Sequence, residues 1–250
     1  MARKWRPLFA FAPWAIVVGS AFWFLHSMPQ RGRLGLPLIR AAWSGDVAAV
    51  KDLLDRGADV NATYVGSVEN TEPPTSDDRP DRSTPLLYAA DLSLDRKHDM
   101  ALVQSHIEVM KLLIAHGADV NIRDHDGKTA LMNVVGWGDA DIVETLLDRG
   151  ADVNARWNGW TALMEAAGQG DPSVVKTLLD RGADVNARER NVPTALICAA
   201  QRGDPNIVKL LLSRGADVHA AQWGKTSLRK AKMNRHTAVV RLLKEAGADR

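Results

Sequence analysis

The stretch "DGKTALMNVVGWGDADIVETLLDRGADVN", Asp126–Asn154, decides the fold. Thr129 is a good helix N-cap, because its hydroxyl can accept from an N–H of the first turn. A short apolar run follows and stops at Gly138, a left-handed C-cap position. Asp139 then caps a second helix, whose apolar face is Val143, Leu146 and Leu147 at helical spacing. The glycine of "GAD", Gly150, ends that helix, and the chain turns.

The unit recurs. "GAD" stands at Gly57, Gly117, Gly150, Gly182, Gly215 and Gly247; the last four intervals are 33, 32, 33 and 32 residues, and the first is 60. A second marker agrees: "TPLLYAA" at Thr84, "TALMNVV" at Thr129, "TALMEAA" at Thr161, "TALICAA" at Thr194 and "TSLRKAK" at Thr226, with "LPLIRAA" at Leu36 lacking the threonine. A fixed period near 33 is the mark of a solenoid. Pro85 sits at the first helical position, where a missing N–H costs nothing. Ala166, Ala167, Ala199 and Ala200 allow close helix packing, Gly170 and Gly203 close the first helix, and "DP" at Asp171 and Asp204 opens the second. The second helices offer Val175/Leu178/Leu179 and Val208/Leu211/Leu212, each buried side chain contributing roughly 1.5–3 kcal/mol.

These residues carry a resemblance to a family. The Asp126–Asn154 unit resembles an ankyrin repeat, and the match runs from about Leu36 to Asp249 in six units. It implies an all-α solenoid, a stack of six helix pairs with β-hairpin fingers on one edge. The repeat domain spans 36–250, with units near 36–61, 62–121, 122–154, 155–186, 187–219 and 220–250. The family's usual histidine after "TPL" is replaced by Leu87, Met132, Met164 or Ile197, which exchanges a hydrogen bond for apolar packing. Val192 stands where a finger glycine is expected, so that finger is expected to be distorted. Lys232 and Lys244 put charge on a face that would otherwise stack, as a terminal cap requires.

Unit two carries two insertions. Residues 63–83 are rich in proline and charge. Residues 91–105 are expected to lengthen a helix. In an ankyrin-like stack both would emerge beside the concave face. They read either as lips around a groove or as loop growth, which is thermodynamically cheap.

Ahead of the repeats lie a basic flank (1–7), an apolar segment (8–28) and a linker (29–35). Leu8 to Leu25 carries no charge, and a helix of that length rises about 27 Å, close to the bilayer core. Trp5 and Trp23 fall near its ends, where interfacial tryptophans are favoured. A transmembrane signal anchor is the favoured reading. A signal peptide cleaved near Gly19–Ala21 competes with it, as does a buried helix of a soluble domain. Arg3, Lys4 and Arg6 before the segment outweigh Arg31 and Arg33 after it. The expected location is therefore a single-pass membrane protein, N-terminus cytoplasmic and repeat domain extracytoplasmic (periplasmic if bacterial).

Composition narrows the chemistry. Lysine plus arginine is 32 against 30 acids, so net charge gives no argument for nucleic acid, and none is expected as a partner. A single cysteine, Cys198, excludes an internal disulfide and a four-cysteine zinc site. The seven histidines form no i, i+4 pair. "RGD" at Arg202–Asp204 reads as a helix C-cap and the next N-cap, and Asn61 of "NAT" as the turn asparagine of the repeat. No catalytic site, metal, cofactor or small-molecule substrate is expected.

The tryptophans point elsewhere. All four phenylalanines and Trp5, Trp14 and Trp23 lie in the first 24 residues, so the repeat core must be aliphatic. The five repeat-domain tryptophans occupy variable positions: Trp157, Trp160 and Trp223 in finger turns, Trp43 and Trp137 late in inner helices. The resemblance implies that these positions form the concave, partner-contacting surface. His125, Asp126, Lys128, Asn158, Gln169 and Arg190 hold matching positions there, with Asn191, Gln201, Arg202, Gln222 and Lys225. Tryptophan anchors among arginine and polar residues have hot-spot composition. The expected function is a non-catalytic protein–protein interaction module displayed at a membrane. The alternative is a chaperone-like or inhibitory accessory protein for an exported enzyme.

Overall fold

The computed structural model describes residues 34–63, 83–91, 99–137 and 139–248. The basic flank, the apolar segment 8–28, most of the linker 29–35, and residues 64–82 and 92–98 of the two insertions lie outside the described residues.

Twelve α-helices are described, in six pairs. They are α1 (Gly35–Ser44) with α2 (Val47–Asp55), α3 (Pro85–Ala90) with α4 (Met100–Ala115), and α5 (Ala130–Val134) with α6 (Ala140–Asp148). Then come α7 (Ala162–Gln169) with α8 (Pro172–Asp180), α9 (Ala195–Arg202) with α10 (Pro205–Ser213), and α11 (Ser227–Met233) with α12 (Thr237–Glu245). The first helix of each pair is inner and the second outer. Inner helices approach one another closely because their facing residues are small; Ala42, Ala89, Ala90, Ala166, Ala167, Ala199 and Ala200 are at most 1% exposed. Six leucines, one per inner helix (Leu38, Leu86, Leu131, Leu163, Leu196, Leu228), form a buried column through the stack.

The expected single-pass location is overturned. No helix among the described residues is long and apolar enough to cross a membrane. The longest, α4, has 16 residues, includes Glu108 and Lys111, and buries Val103, Ile107, Val109, Met110, Leu113 and Ile114 inside the stack.

Asp46, Asp99, Asp139, Asp171 and Asp204 cap the outer helices α2, α4, α6, α8 and α10, each accepting from first-turn N–H groups. Thr161, Thr194 and Thr226 cap α7, α9 and α11 in the same way. Thr84 and Thr129 do not; each hydroxyl is buried without a partner. Gly170 and Gly203 both take φ 92°, the left-handed C-cap. Unit three departs, because α5 ends early and tightens into a 3-10 turn, Val135–Trp137. Gly138 lies outside the described residues.

The "GADVN" segment explains itself in three dimensions. Within a unit the aspartate accepts from the N–H two residues on, as in Asp152 with Asn154 at 2.9 Å. The asparagine then reaches the next unit. Asn154 accepts from the Asp184 N–H at 2.8 Å and donates to the Gly182 carbonyl at 3.1 Å. Asn61, Asn121 and Asn186 repeat the pattern, so Asn61 is tied to Gly117 and Asp119. His219 holds the asparagine position at the end of unit five, and its side chain makes no hydrogen bond to a described residue of unit six.

Candidate partner-binding face

The site grows from the fingers. In finger four, Trp157 and Trp160 pair across a two-residue turn by N–H···O bonds of 3.0 and 2.8 Å. Both central residues have positive φ, 47° at Asn158 and 81° at Gly159, as a type I′ hairpin requires. A Cβ on Gly159 would sit 2.4 Å from Glu189 Cγ of the next finger, so only glycine fits. An Asn-Gly hairpin tip thus lets a two-residue turn carry two tryptophans.

The rings reach beyond their own finger. Lys128 Nζ lies 4.2 Å from the Trp157 ring centroid, a cation–π contact between fingers three and four. Asp124 accepts from the Asp126 and Lys128 N–H groups and fixes the tip of finger three, where His125 Nε2 stands 3.4 Å from Asp126 Oδ2. Burial pushes the Asp124 carboxyl above its ordinary value, against the pull of those N–H donors. Arg123 donates to the Arg156 carbonyl and Arg156 to the Arg188 carbonyl, each at 2.8 Å, so the fingers are laced together.

Finger five follows its sequence departure. One hydrogen bond, from the Val192 N–H to the Glu189 carbonyl, closes it, and its arms form no bridge among the described residues. Asn191 takes the left-handed conformation (φ 67°). Finger six restores a small sheet, β1 (Ala221–Gln222) with β2 (Lys225–Thr226). Its tip residue Trp223 is 71% exposed at φ 48°, and donates from Nε1 to Asn191 Oδ1 at 2.7 Å. Gln222 is buried and donates to the Asn191 carbonyl at 2.7 Å; Arg190 is exposed and Lys225 half-buried.

A groove of about 730 Å³ opens beside Trp160, lined by Met164, Gln169, Cys198, Gln201, Arg202 and His236 among others. A smaller cleft of about 120 Å³, with Lys128, Met132 and Trp157 in its wall, shares Trp160 and Glu165 with it. Gln169 donates to Glu165 at 2.9 Å. Gln201 accepts from Lys230 Nζ on its side-chain oxygen (2.9 Å) and from Asn234 on its carbonyl (2.8 Å). Arg202 is exposed and lies over Gly170.

Two of the expected tryptophans are half-buried away from the fingers. Trp137 is half-buried against the core, its Nε1 enclosed without a partner. Trp43 is half-buried late in α1, its carbonyl 3.2 Å from His106 Nε2. Neither borders the two cavities, and nor do the expected residues His125, Asp126, Asn158, Arg190, Asn191, Gln222, Trp223 and Lys225. Conversely, Met164, Glu165, Asn234 and His236 line the groove although the sequence reading passed over them. The overlooked signal is "RH" at Arg235–His236, where the preceding unit has the "GD" of Gly203–Asp204. Arg235, one residue past the α11 C-cap Asn234, is left-handed (φ 61°), and His236, freed from capping, turns Nε2 to the Gln201 carbonyl at 3.1 Å.

Cys198 lines the groove, but burial pushes its thiol up to about 12, far from a nucleophile's range. Among the described residues no three His, Cys, Asp or Glu side chains are grouped to hold a metal ion.

Comparison with known proteins adds the family. The model described as "Ankyrin repeats (3 copies)" matches residues 97–189 and 187–250, and "Ankyrin repeat" matches 36–64. The chain is similar to "Probable E3 ubiquitin-protein ligase XBOS32" of Oryza sativa subsp. japonica, 34% identical over 73 residues, 29% of this chain and 12% of that protein. It is 45% identical over 47 residues to E3 ubiquitin-protein ligase XBAT33 of Arabidopsis thaliana (19% of this chain, 9% of that protein). It is 41% identical over 54 residues to protein phosphatase 1 regulatory subunit 12A of Mus musculus (22% and 5%). The chain thus spans about an eighth or less of the length of these curated relatives. With family matches over most of its length and a stack of paired helices bearing finger turns, the chain belongs to the ankyrin-repeat family.

Proposed function

We propose that the face made by the fingertips and inner helices of units three to six binds a protein partner and performs no chemistry of its own. The observation that carries this reading is the open groove beside Trp160, with aromatic, aliphatic and polar walls contributed by successive units. Mixed surfaces of this kind, with aromatic anchors and arginine, are where binding energy concentrates. Trp157 and Trp160 form one end, with Lys128 across the Trp157 ring; Asn158, Arg190, Asn191 and Trp223 supply the exposed tips. His125, Asp126, Gln169, Gln201, Arg202, Gln222 and Lys225 make up the polar remainder.

The similarity to stretches of two ubiquitin ligases and a phosphatase regulatory subunit fits a docking module. So little of those proteins is covered that their own activities form no part of the proposal.

The test is affinity capture with the full chain immobilised, comparing native protein with W157A/W160A and with W223N. Circular dichroism and urea unfolding of each variant accompany it. Loss of captured proteins from folded variants is expected. An unchanged capture profile in both would sink the proposal.

A further inference from the structure

Charge is divided between the two helix layers. The inner helices carry five basic residues (Arg40, Arg202, Arg229, Lys230, Lys232) against one acid, Glu165. The outer helices carry six basic and eight acidic residues. The chain as a whole is close to neutral, at +2, so the contrast comes from arrangement and not from composition.

Pairing sharpens the contrast. Outer-layer carboxylates are met by cations: Asp180 by Lys176 and Arg214, and Glu144 and Asp148 by Arg181. On the inner layer the cations stand uncompensated. The Arg202 guanidinium has no hydrogen-bond or ion-pair partner among the described residues, and it lines the groove. Lys230 Nζ rests on a neutral acceptor, the Gln201 amide oxygen, at 2.9 Å. The one acid, Glu165, is already held by Gln169. Sharing the groove with Arg202 are Trp160, Met164 and Pro193. Apolar walls lower the local dielectric and focus the field of unpaired charges into a cleft.

Granting the partner-binding reading above, we infer that the groove takes an acidic peptide segment of the partner. A carboxylate meets the free fork of Arg202, a geometry that guanidinium satisfies with two parallel hydrogen bonds. Lys230 supports a second negative charge, and an apolar side chain of the same segment packs on Trp160 and Met164. The basic layer steers the acidic segment inward, so binding weakens as salt rises.

A random peptide library displayed on phage, selected on the immobilised full chain, tests this. The enriched sequence is then synthesised with a fluorescent label and titrated by polarisation. Enrichment of acidic sequences with an apolar residue is expected. R202E should bind the labelled peptide at least about tenfold more weakly, with a smaller loss for R202Q, since juxtaposed like charges cost more than a missing partner. Arg202 is exposed and unpaired, so both variants should keep the native urea midpoint. Enriched peptides without acidic bias that are still lost on W160A would overturn the acidic segment and leave the binding face standing. No enrichment, or enrichment indifferent to both W160A and R202E, would overturn both. Displacement of the peptide by a single-stranded oligonucleotide at lower concentration than by unlabelled peptide would also overturn it, making the face a nucleic-acid surface.

Discussion

Lys128 Nζ lies 4.2 Å from the ring centroid of Trp157, so a cation on finger three covers an aromatic on finger four. The same ring carries an Nε1 that is buried without a partner. The ring face therefore contributes to stability while its N–H opposes it. W157F keeps the face and removes the orphan donor, and should leave unfolding free energy unchanged or slightly higher. W157A should lower it, and a cycle with K128A should return a coupling of about 0.5–1 kcal/mol. Urea unfolding measures all four species. A coupling near zero would reduce the contact to coincidence.

Trp223 holds φ 48° with 71% of its surface exposed. A left-handed conformation costs a bulky L-residue roughly 1–2 kcal/mol. Its bond to Asn191 returns about 0.5–1.5 kcal/mol. The two nearly cancel, so W223G should change stability by less than about 1 kcal/mol. Partner capture should nevertheless fall, because the ring is the most exposed aromatic of the described face. A variant that loses much stability and captures normally would make Trp223 a packing residue.

How much was legible follows from the range of each signal. Asp171 and Gly170 act on neighbours within one turn, so the starts of α8 and α10 and the ends of α7 and α9 stand where the residues put them. Threonine capping failed at Thr84 and Thr129, where the same residue type leaves its hydroxyl enclosed and unpaired. The groove was not legible. Its walls run from Trp160 to His236, and the His236–Gln201 contact joins residues 35 apart. That contact depends on Arg235 taking a glycine's conformation, which no periodic pattern announces. Trp43 and Trp137 matched the repeat register of surface positions, yet both are only partly exposed, and Trp137 packs against the core.

The asparagine ladder should behave as a set of equivalent rungs with one exception. Asn154 satisfies the Asp184 N–H and the Gly182 carbonyl across a unit boundary. N154A removes both bonds and should cost about 1–2 kcal/mol. H219A, at the same position of unit five but with no side-chain hydrogen bond to a described residue, should cost almost nothing. Equal losses in the two variants would show that the asparagines act within their own turns and not between units.

Cys198 offers a probe of the groove. It is 8% exposed and its thiol is pushed up to about 12 by burial, with Glu165 adding to the rise and Lys230 opposing it. Labelling by a thiol-reactive dye at neutral pH should be far slower than that of a free cysteine. The rate should climb about tenfold per pH unit, as the thiolate fraction does below the pKa. Bound peptide in the groove should slow it further. Rapid labelling of the folded chain would mean that the α9 region opens readily.

Two carboxylates should tilt the stability curve in opposite directions. Hydrogen bonding to Lys176, helped by Arg214, holds Asp180 below its ordinary value. Its contribution is present above the unfolded value, near 4, and is lost as pH falls through the lower folded value. Asp124 is raised, chiefly by burial, so its contribution is present below about 4 and lost as pH rises through the raised value. Urea midpoints measured from acid to neutral pH should show D180N flattening the acid-side loss. D124N keeps an oxygen for the Asp126 and Lys128 N–H groups and removes the buried charge, so it should flatten the opposing slope. Because Asp180 is a surface group, salt should weaken its effect more than that of Asp124. If both variants track the native curve at all pH values, neither carboxylate titrates differently on unfolding.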